Sequence, residues 1–119
     1  ILEQTNLDPV FLNALHTEGP KAIAVVVDRK GSTPVKTGAI MCVNALGQSF
    51  GTIGGGCGEH EVLRKALEVL SDKKDTFLSV DMTNDFAGEE GMVCGGTMDV
   101  IIQYVPGKVE IYPFTFPIY

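Results

Sequence analysis

Two stretches of the chain set a thiol in a bed of glycine: "GTIGGGCGEHEV" at 51–62 and "GMVCGG" at 91–96. In the first, Gly54, Gly55 and Gly56 lead into Cys57, and Glu59 opens a segment with helical spacing. Bare glycine lets a bulky ligand touch the backbone, and a helix N-terminus offers unpaired N–H groups whose dipole favours an anion. That dipole also lowers the pKa of a cysteine in the first turn and so favours its thiolate. A thiolate is a soft ligand for a transition metal, or a handle for sulfur in transit. Cys94, Gly95 and Gly96 repeat the style at the mouth of a later strand. If the strands before Gly54 and after Gly96 share a sheet, Cys57 and Cys94 face one ligand-sized cleft at its edge. Cys42, inside the apolar "IMCV", reads instead as a buried small hydrophobe.

Common fingerprints do not account for these loops. A P-loop needs Lys and then Ser or Thr after its last glycine, and a dinucleotide G-x-G-x-x-G begun at Gly54 meets Glu59 where its last glycine belongs. Cys57 and His60 form C-x-x-H, which with Cys94 offers zinc three ligands; a fourth is not evident, and helical spacing turns His60 away from Cys57. Both His60 and His16 read as helix-surface residues. A thiol-redox module advertises C-x-x-C, which is missing. No general base stands beside a nucleophile, so a binding role outranks catalysis. A small zinc- or thiol-dependent enzyme and a phosphate-ligand binding module remain the alternatives. Ser32 and Thr33 of "GSTP" are hydroxyl donors and typical turn formers alike, and Arg29 is a candidate phosphate partner. Glu59 in a first helical turn has a structural role by default, through the dipole.

The elements that must position these residues follow from periodicity. "LDPVFLNALHTEGP" predicts a short helix with Asp8 as N-cap, Pro9 first, and Phe11, Leu12 and Leu15 on one face. "KAIAVVVDRK" is a continuous, β-branched apolar run that suits a central strand. "AIMCVN" and "QSFGTIG" flank "ALG" as a hairpin. Val62, Leu63, Ala66, Leu67 and Leu70 share the apolar side of a long helix, with Glu61, Arg64, Lys65 and Glu68 opposite. "DTFLSVDM" and "TMDVIIQYV" read as strands, and "TNDFAGEEGMVCGG" between them as a long loop. The expected architecture is α/β: a mixed sheet of strands near 22–28, 39–44, 49–53, 76–82 and 97–105, with helices packed on it, the long one near 59–71. The aromatic tail at 109–119 is expected to be extended and docked.

With 119 residues, the chain suits one compact domain, taken as 1–119. A net charge of −6 with scattered Lys and Arg argues against nucleic acid and anionic membrane as partners. The start lacks a signal-peptide pattern and no apolar run approaches a membrane span, so a soluble cytoplasmic protein is expected. Three scattered cysteines suit reduced thiols. A start at Ile1 suggests a piece of a longer protein.

Three ordered motifs, "R-x-GSTP…G-x-x-M" (Arg29, Gly31, Ser32, Thr33, Pro34, Gly38, Met41), "GxIGGGC-x-E" (Gly51 to Glu59) and "GMVCGG" (Gly91 to Gly96), carry a resemblance. Across roughly residues 10–105 the chain resembles the N-terminal domain of the XdhC/CoxI family, the xanthine dehydrogenase accessory proteins. It departs from many relatives at Val35 and Ile40, where basic residues are common, and at Gly58, where a larger residue is common. The resemblance implies a maturation factor rather than a catalyst, one that binds molybdenum cofactor in its molybdopterin form and assists its sulfuration and insertion into a molybdenum hydroxylase such as xanthine dehydrogenase. It implies Ser32, Thr33, Gly54, Gly55, Gly56, Cys57, Glu59, Cys94, Gly95 and Gly96 as cofactor-binding residues, with Cys57 and Cys94 toward the metal. A sulfur donor protein and a second copy in a homodimer complete the expected partners. The family's usual C-terminal Rossmann-like domain is not part of this sequence.

Overall fold

The computed structural model describes residues 9–33, 35–53, 58–83, 85–87 and 92–107. Chain order runs α1 (Pro9–His16), β1 (Lys21–Lys30), β2 (Ile40–Asn44), β3 (Ser49–Gly51), α2 (Glu59–Asp72), β4 (Thr76–Asp81), β5 (Asp85–Ala87), β6 (Met92–Cys94) and β7 (Thr97–Val105). Five strands form one sheet in the order β3-β2-β1-β7-β4, and β5 pairs with β6 in a separate two-stranded ribbon. The expected α/β fold, a sheet with helices packed on it, is the observed one. Strand direction refines it: every described pairing is antiparallel.

The continuous apolar run of β1 takes the central place expected of it, because both faces are covered. On one face, Ala22, Ala24 and Val26 of β1 and Met98, Val100 and Ile102 of β7 join Val62, Ala66 and Val69 of α2 in the main core. On the other, Phe11, Ala14 and Leu15 of α1 close over Cys42, with Ile23, Ile40 and Phe50 packed around them. Burying a side chain of this size contributes about 2 kcal/mol, so the two-sided core decides which strand is central. The α2 face is rotated from the expected one: Val69 is buried, whereas Leu67 is 43% exposed. Val62, Ala66 and Val69 define the centre of the stripe, and Leu67 falls on its flank.

The end of the sheet where β7 finishes is tied by side chains. The Lys21 ammonium, buried on the α1 face, donates to the carbonyls of Thr17 at 2.7 Å, Gly19 at 2.8 Å and Gly107 at 2.8 Å. Asn44 accepts from the amides of Leu46 at 2.9 Å and Gln48 at 3.0 Å and thereby shapes the β2–β3 turn. Asp75 accepts from the Tyr104 amide at 2.7 Å just before β4 begins.

One further expectation changes. The segment 83–96, expected to be a loop, contains the β5–β6 ribbon. Each strand is three residues long, too short for its alternation to stand out among the glycines. Asp8 and the extended tail 109–119 lie outside the described residues. No helix among the described residues is long and apolar enough to cross a membrane.

Candidate functional site

Antiparallel register gathers the three motifs at one end of the sheet. Lys30, Thr97 and Asp81 lie in one row across β1, β7 and β4. Val25 pairs with Ile40, and Met41 with Gly51, so β2 starts and β3 finishes at that same end. The loops that follow β1, β3 and β4 therefore all emerge together, and these loops hold "GSTP", "GGGC" and "GMVCGG".

The first and third motifs interlock through their backbones. The Gly95 amide donates to the Ser32 carbonyl at 2.8 Å, and the Met82 amide to the Gly96 carbonyl at 2.9 Å. Gly31 and Gly96 both have positive φ, 88° and 92°. A Cβ on Gly96 would fall onto the Lys30 carbonyl oxygen, and one on Gly31 would lie 2.7 Å from the Gly96 Cα. Glycine is required here by chain meeting chain. Cys94 closes β6 immediately before this contact, opposite Asp85 in the ribbon; its side chain lies outside the described residues.

Gly54, Gly55, Gly56 and Cys57 also lie outside the described residues, but both ends of their loop are fixed. Glu59 accepts from the Thr52 hydroxyl at 2.5 Å and the Ile53 amide at 3.1 Å. One carboxylate thus joins the first turn of α2 to the residues that leave β3. Gly58, the N-cap, is left-handed with φ 69° and ψ 0°, and a Cβ there would lie 2.7 Å from Met98 Cε and 3.2 Å from Met82 Sδ. The departure noted at Gly58 has a local reason: the buried Met82 and Met98 occupy the space of a larger side chain. Two carboxylates, Glu59 and Glu61, already complement the positive end of the α2 dipole. Glu61 lies 3.6 Å from Arg64.

A β-bulge sets the strand bordering the site. Val26 pairs with Val100 but Asp28 with Asp99, so β1 carries one extra residue, Val27. Arg29 then stands opposite Met98, whose row belongs to the α2 face, while Asp28 and Asp99 share the other. Arg29 and Ser32 are exposed. Thr33, half-buried, accepts from the Val35 amide at 3.2 Å in a local turn. Val35 is fully buried in the main core and Ile40 packs under α1, so both departures from the basic pattern serve packing. Asp81 turns the chain out of β4 by accepting from the Thr83 amide at 3.0 Å and hydroxyl at 2.8 Å, bonds that hold its pKa below the usual carboxylate value.

The remaining candidates separate cleanly. His60 and His16 are exposed, as expected of helix-surface residues. Among the described residues no group of three or more His, Cys, Asp or Glu could hold a metal ion. Cys42 is buried, and desolvation raises its pKa to about 11 against the opposing pull of Lys21. It is a protonated, inert thiol at neutral pH. Sequence reasoning missed the Glu59 clamp, the Val27 bulge and the Met82–Met98 pair beneath Gly58. The first had a visible trace, a carboxylate seven residues after a threonine across a glycine loop; the others depend on pairing partners distant in the chain.

The sequence model of the XdhC and CoxI family matches residues 14–81, which include the first two motifs and the core positions of α2. Over 84 residues, 71% of this chain, the sequence is 41% identical to the uncharacterized protein YqeB of Escherichia coli (strain K12), of which it covers 15%. It is similar, at a TM-score of 0.65 and 29% identity, to the crystal structure of a xanthine dehydrogenase from Bacillus halodurans, over 79% of this chain and 29% of that one. The chain thus spans a minor part of the length of either relative. With more than half of its length matched by the family model, and with the motif loops gathered at one sheet end, the chain belongs to the XdhC and CoxI family.

Proposed function

We propose that this chain is the cofactor-handling part of a xanthine dehydrogenase accessory factor: it binds molybdenum cofactor in its molybdopterin form and assists its sulfuration and insertion into a molybdenum hydroxylase. The observation that carries the reading is the convergence of the loops after β1, β3 and β4 at one end of the sheet. The family membership and the likeness to a xanthine dehydrogenase structure support the same direction.

The residues present fit such a group. Exposed Ser32 and half-buried Thr33 carry hydroxyl donors for a pterin or phosphate, and Arg29 stands on the α2 side of the strand end. Gly54, Gly55 and Gly56 give a ligand access to bare backbone between the two points that Glu59 ties together. Glu59 acts as a positioning residue. Gly95 and Gly96 hold the β6–β7 corner against Ser32, which sets where Cys94 leaves the ribbon. Cys57 precedes the N-cap of α2 in the sequence and Cys94 ends β6 just before the glycine corner, which supports their assignment as the two soft ligands of the proposal. The cofactor, when bound, supplies the molybdenum centre that accepts sulfur. A cytoplasmic location, a homodimeric state and a sulfur donor protein as partner belong to the same proposal.

The test is replacement of each thiol. Cys57→Ser and Cys94→Ser should keep a near-native melting temperature yet lose co-purifying pterin, read by mass spectrometry, and lose delivery to a recipient hydroxylase. Cys42→Ser is the control, expected to lower stability while leaving pterin content of the folded protein unchanged. Normal binding and delivery by both Cys57→Ser and Cys94→Ser would overturn the thiol-ligand reading. Stoichiometric zinc without pterin would replace it with a metal-stapled module.

A further inference from the structure

The two edges of the sheet are built differently. β3, at one edge, is three residues long, and shortness is one way an edge is blunted against further pairing. β4, at the other, runs six residues as "TFLSVD", and from Thr76 to Val80 it carries no proline, glycine or charge. Its register with β7 is unbroken, so no bulge twists it away. Among the described residues no strand lies beyond it.

The β7 pairing orders the backbone groups along that edge. The Met82 amide bonds the Gly96 carbonyl, and bonded rows alternate in an antiparallel pair. Thr76, Leu78 and Val80 therefore turn their N–H and C=O groups toward β7, while Phe77 and Ser79 turn theirs outward. Phe77 also ends an apolar row, Val25–Ile101–Phe77, on the face opposite the α2 core. Ile101 is 38% and Phe77 59% exposed. The edge thus offers an incoming strand two rows of backbone groups and an aromatic ring.

Charge selects the strand that fits. Lys73 precedes β4 and Asp81 ends it, both exposed. A two-fold axis at Phe77, normal to the sheet, sets a second β4 antiparallel to the first and keeps like faces together. Phe77 then stands opposite Phe77, and Lys73 of each copy opposite Asp81 of the other. The outward N–H and C=O groups of the two Phe77 residues meet in a bonded pair. Moving the axis to Leu78 sets Asp75 opposite Asp81, a like-charge pair that costs stability, and moving it to Ser79 sets Phe77 opposite Asp81. The Phe77 register instead joins the two apolar rows end to end, with an aromatic pair at their centre.

We propose that the β4 edge is the interface between two copies of this chain, paired about a two-fold axis at Phe77 so that the five strands of each copy form one continuous antiparallel sheet. This rests on the homodimeric state proposed above, gives that state a surface, and is independent of the cofactor. The motif ends of the two copies, each marked by its own Asp81, lie at opposite ends of the new strand pair, so each copy keeps a separate site.

The test combines sedimentation equilibrium of the 119-residue chain with amide exchange at several protein concentrations. The proposal expects a concentration-dependent dimer, exchange at Phe77 and Ser79 that slows as the dimer forms, and exchange at Leu78 and Val80 that is slow throughout. Phe77→Lys sets like charges at the axis and should raise the dimer dissociation constant about tenfold or more. Ser79→Pro removes an outward N–H and none bonded to β7, and should weaken the dimer to a similar degree. Slow exchange at Leu78 and Val80 in either variant shows that its own sheet is intact. A dimer with an unchanged dissociation constant in both variants would overturn this interface and leave the homodimeric state standing. A chain monomeric at every concentration would overturn both. Phe77 and Ser79 amides equally slow at every dilution would overturn the proposal in favour of a cover supplied by the chain itself.

Discussion

Where β7 finishes, polar side chains close the sheet; where β7 starts, glycines do. At the first end Lys21 holds three carbonyls, Asn44 holds a turn and Asp75 holds the Tyr104 amide. At the second, Gly31 and Gly96 bring two backbones into contact, and Gly58 admits two methionines beneath a helix start. A side-chain closure saturates its donors and acceptors and leaves little for a ligand. A glycine closure removes side chains from the rim and leaves the hydroxyls and loops around it available. The comparison explains why motif residues cluster at one end while the other carries none.

The largest effect should come from breaking the glycine end. Gly96→Ala adds a Cβ into the Lys30 carbonyl at a positive φ, and the sum of backbone strain and overpacking should cost about 4 kcal/mol in urea unfolding. Next, Lys21→Met leaves the Thr17, Gly19 and Gly107 carbonyls without their donor, a loss of about 3 kcal/mol by the same measurement. Gly58→Ala should cost about 2 kcal/mol, less than Gly96→Ala because methionine tips can yield. Adding Met98→Ala to Gly58→Ala should return part of the clash energy, and a double-mutant cycle reads that coupling.

Smaller effects sharpen the contrast. Glu59→Gln weakens the clamp and the helix-dipole interaction by about 1 kcal/mol and should raise amide exchange at Ile53; Glu61→Gln, in an exposed pair with Arg64, should change stability by less than about 0.5 kcal/mol. The subtlest effect is a pH slope. The folded-state pKa of Cys42 is raised from 9.0 to about 11, so its contribution is fully present below pH 9.0 and is lost as pH rises to about 11. Desolvation lowers the pKa of Lys21 from 10.5, so the lysine gives the opposite slope, with stability gained as pH rises toward 10.5. Cys42→Ala should therefore remove the falling component and, because the Cys42 thiolate also raises the Lys21 pKa, strengthen the rising one, visible as the difference between the two alkaline denaturation profiles.

The comparison also marks what was legible in the sequence. Period and composition placed β1, the β2–β3 hairpin, α2, β4 and β7 within a few residues, because a buried two-faced strand and an amphipathic helix write their burial into local spacing. The family resemblance rested on motif order and was shown. The glycine end was legible only as motifs. That Gly95 meets Ser32, or that Glu59 reaches Thr52 and Ile53, depends on pairing between strands far apart in the chain. Residues Val35 and Leu67 went the other way: turn chemistry hid a core residue, and helical spacing over-assigned one. Of the ten expected cofactor-binding residues, Ser32, Thr33, Glu59, Gly95 and Gly96 have described places at one end of the sheet, and the contribution of the thiols is left to the serine variants.

The Gly31–Gly96 contact has a kinetic consequence. It joins residues separated by most of the chain, so its loop-closure entropy is offset only once β1 and β7 have paired along their length. The motif end then assembles late, after the sheet that carries it, and no partial fold ending before β7 contains it. Local opening follows the reverse order: fluctuations that loosen the β6–β7 corner expose this end at a lower free-energy cost than unfolding of the α2 core.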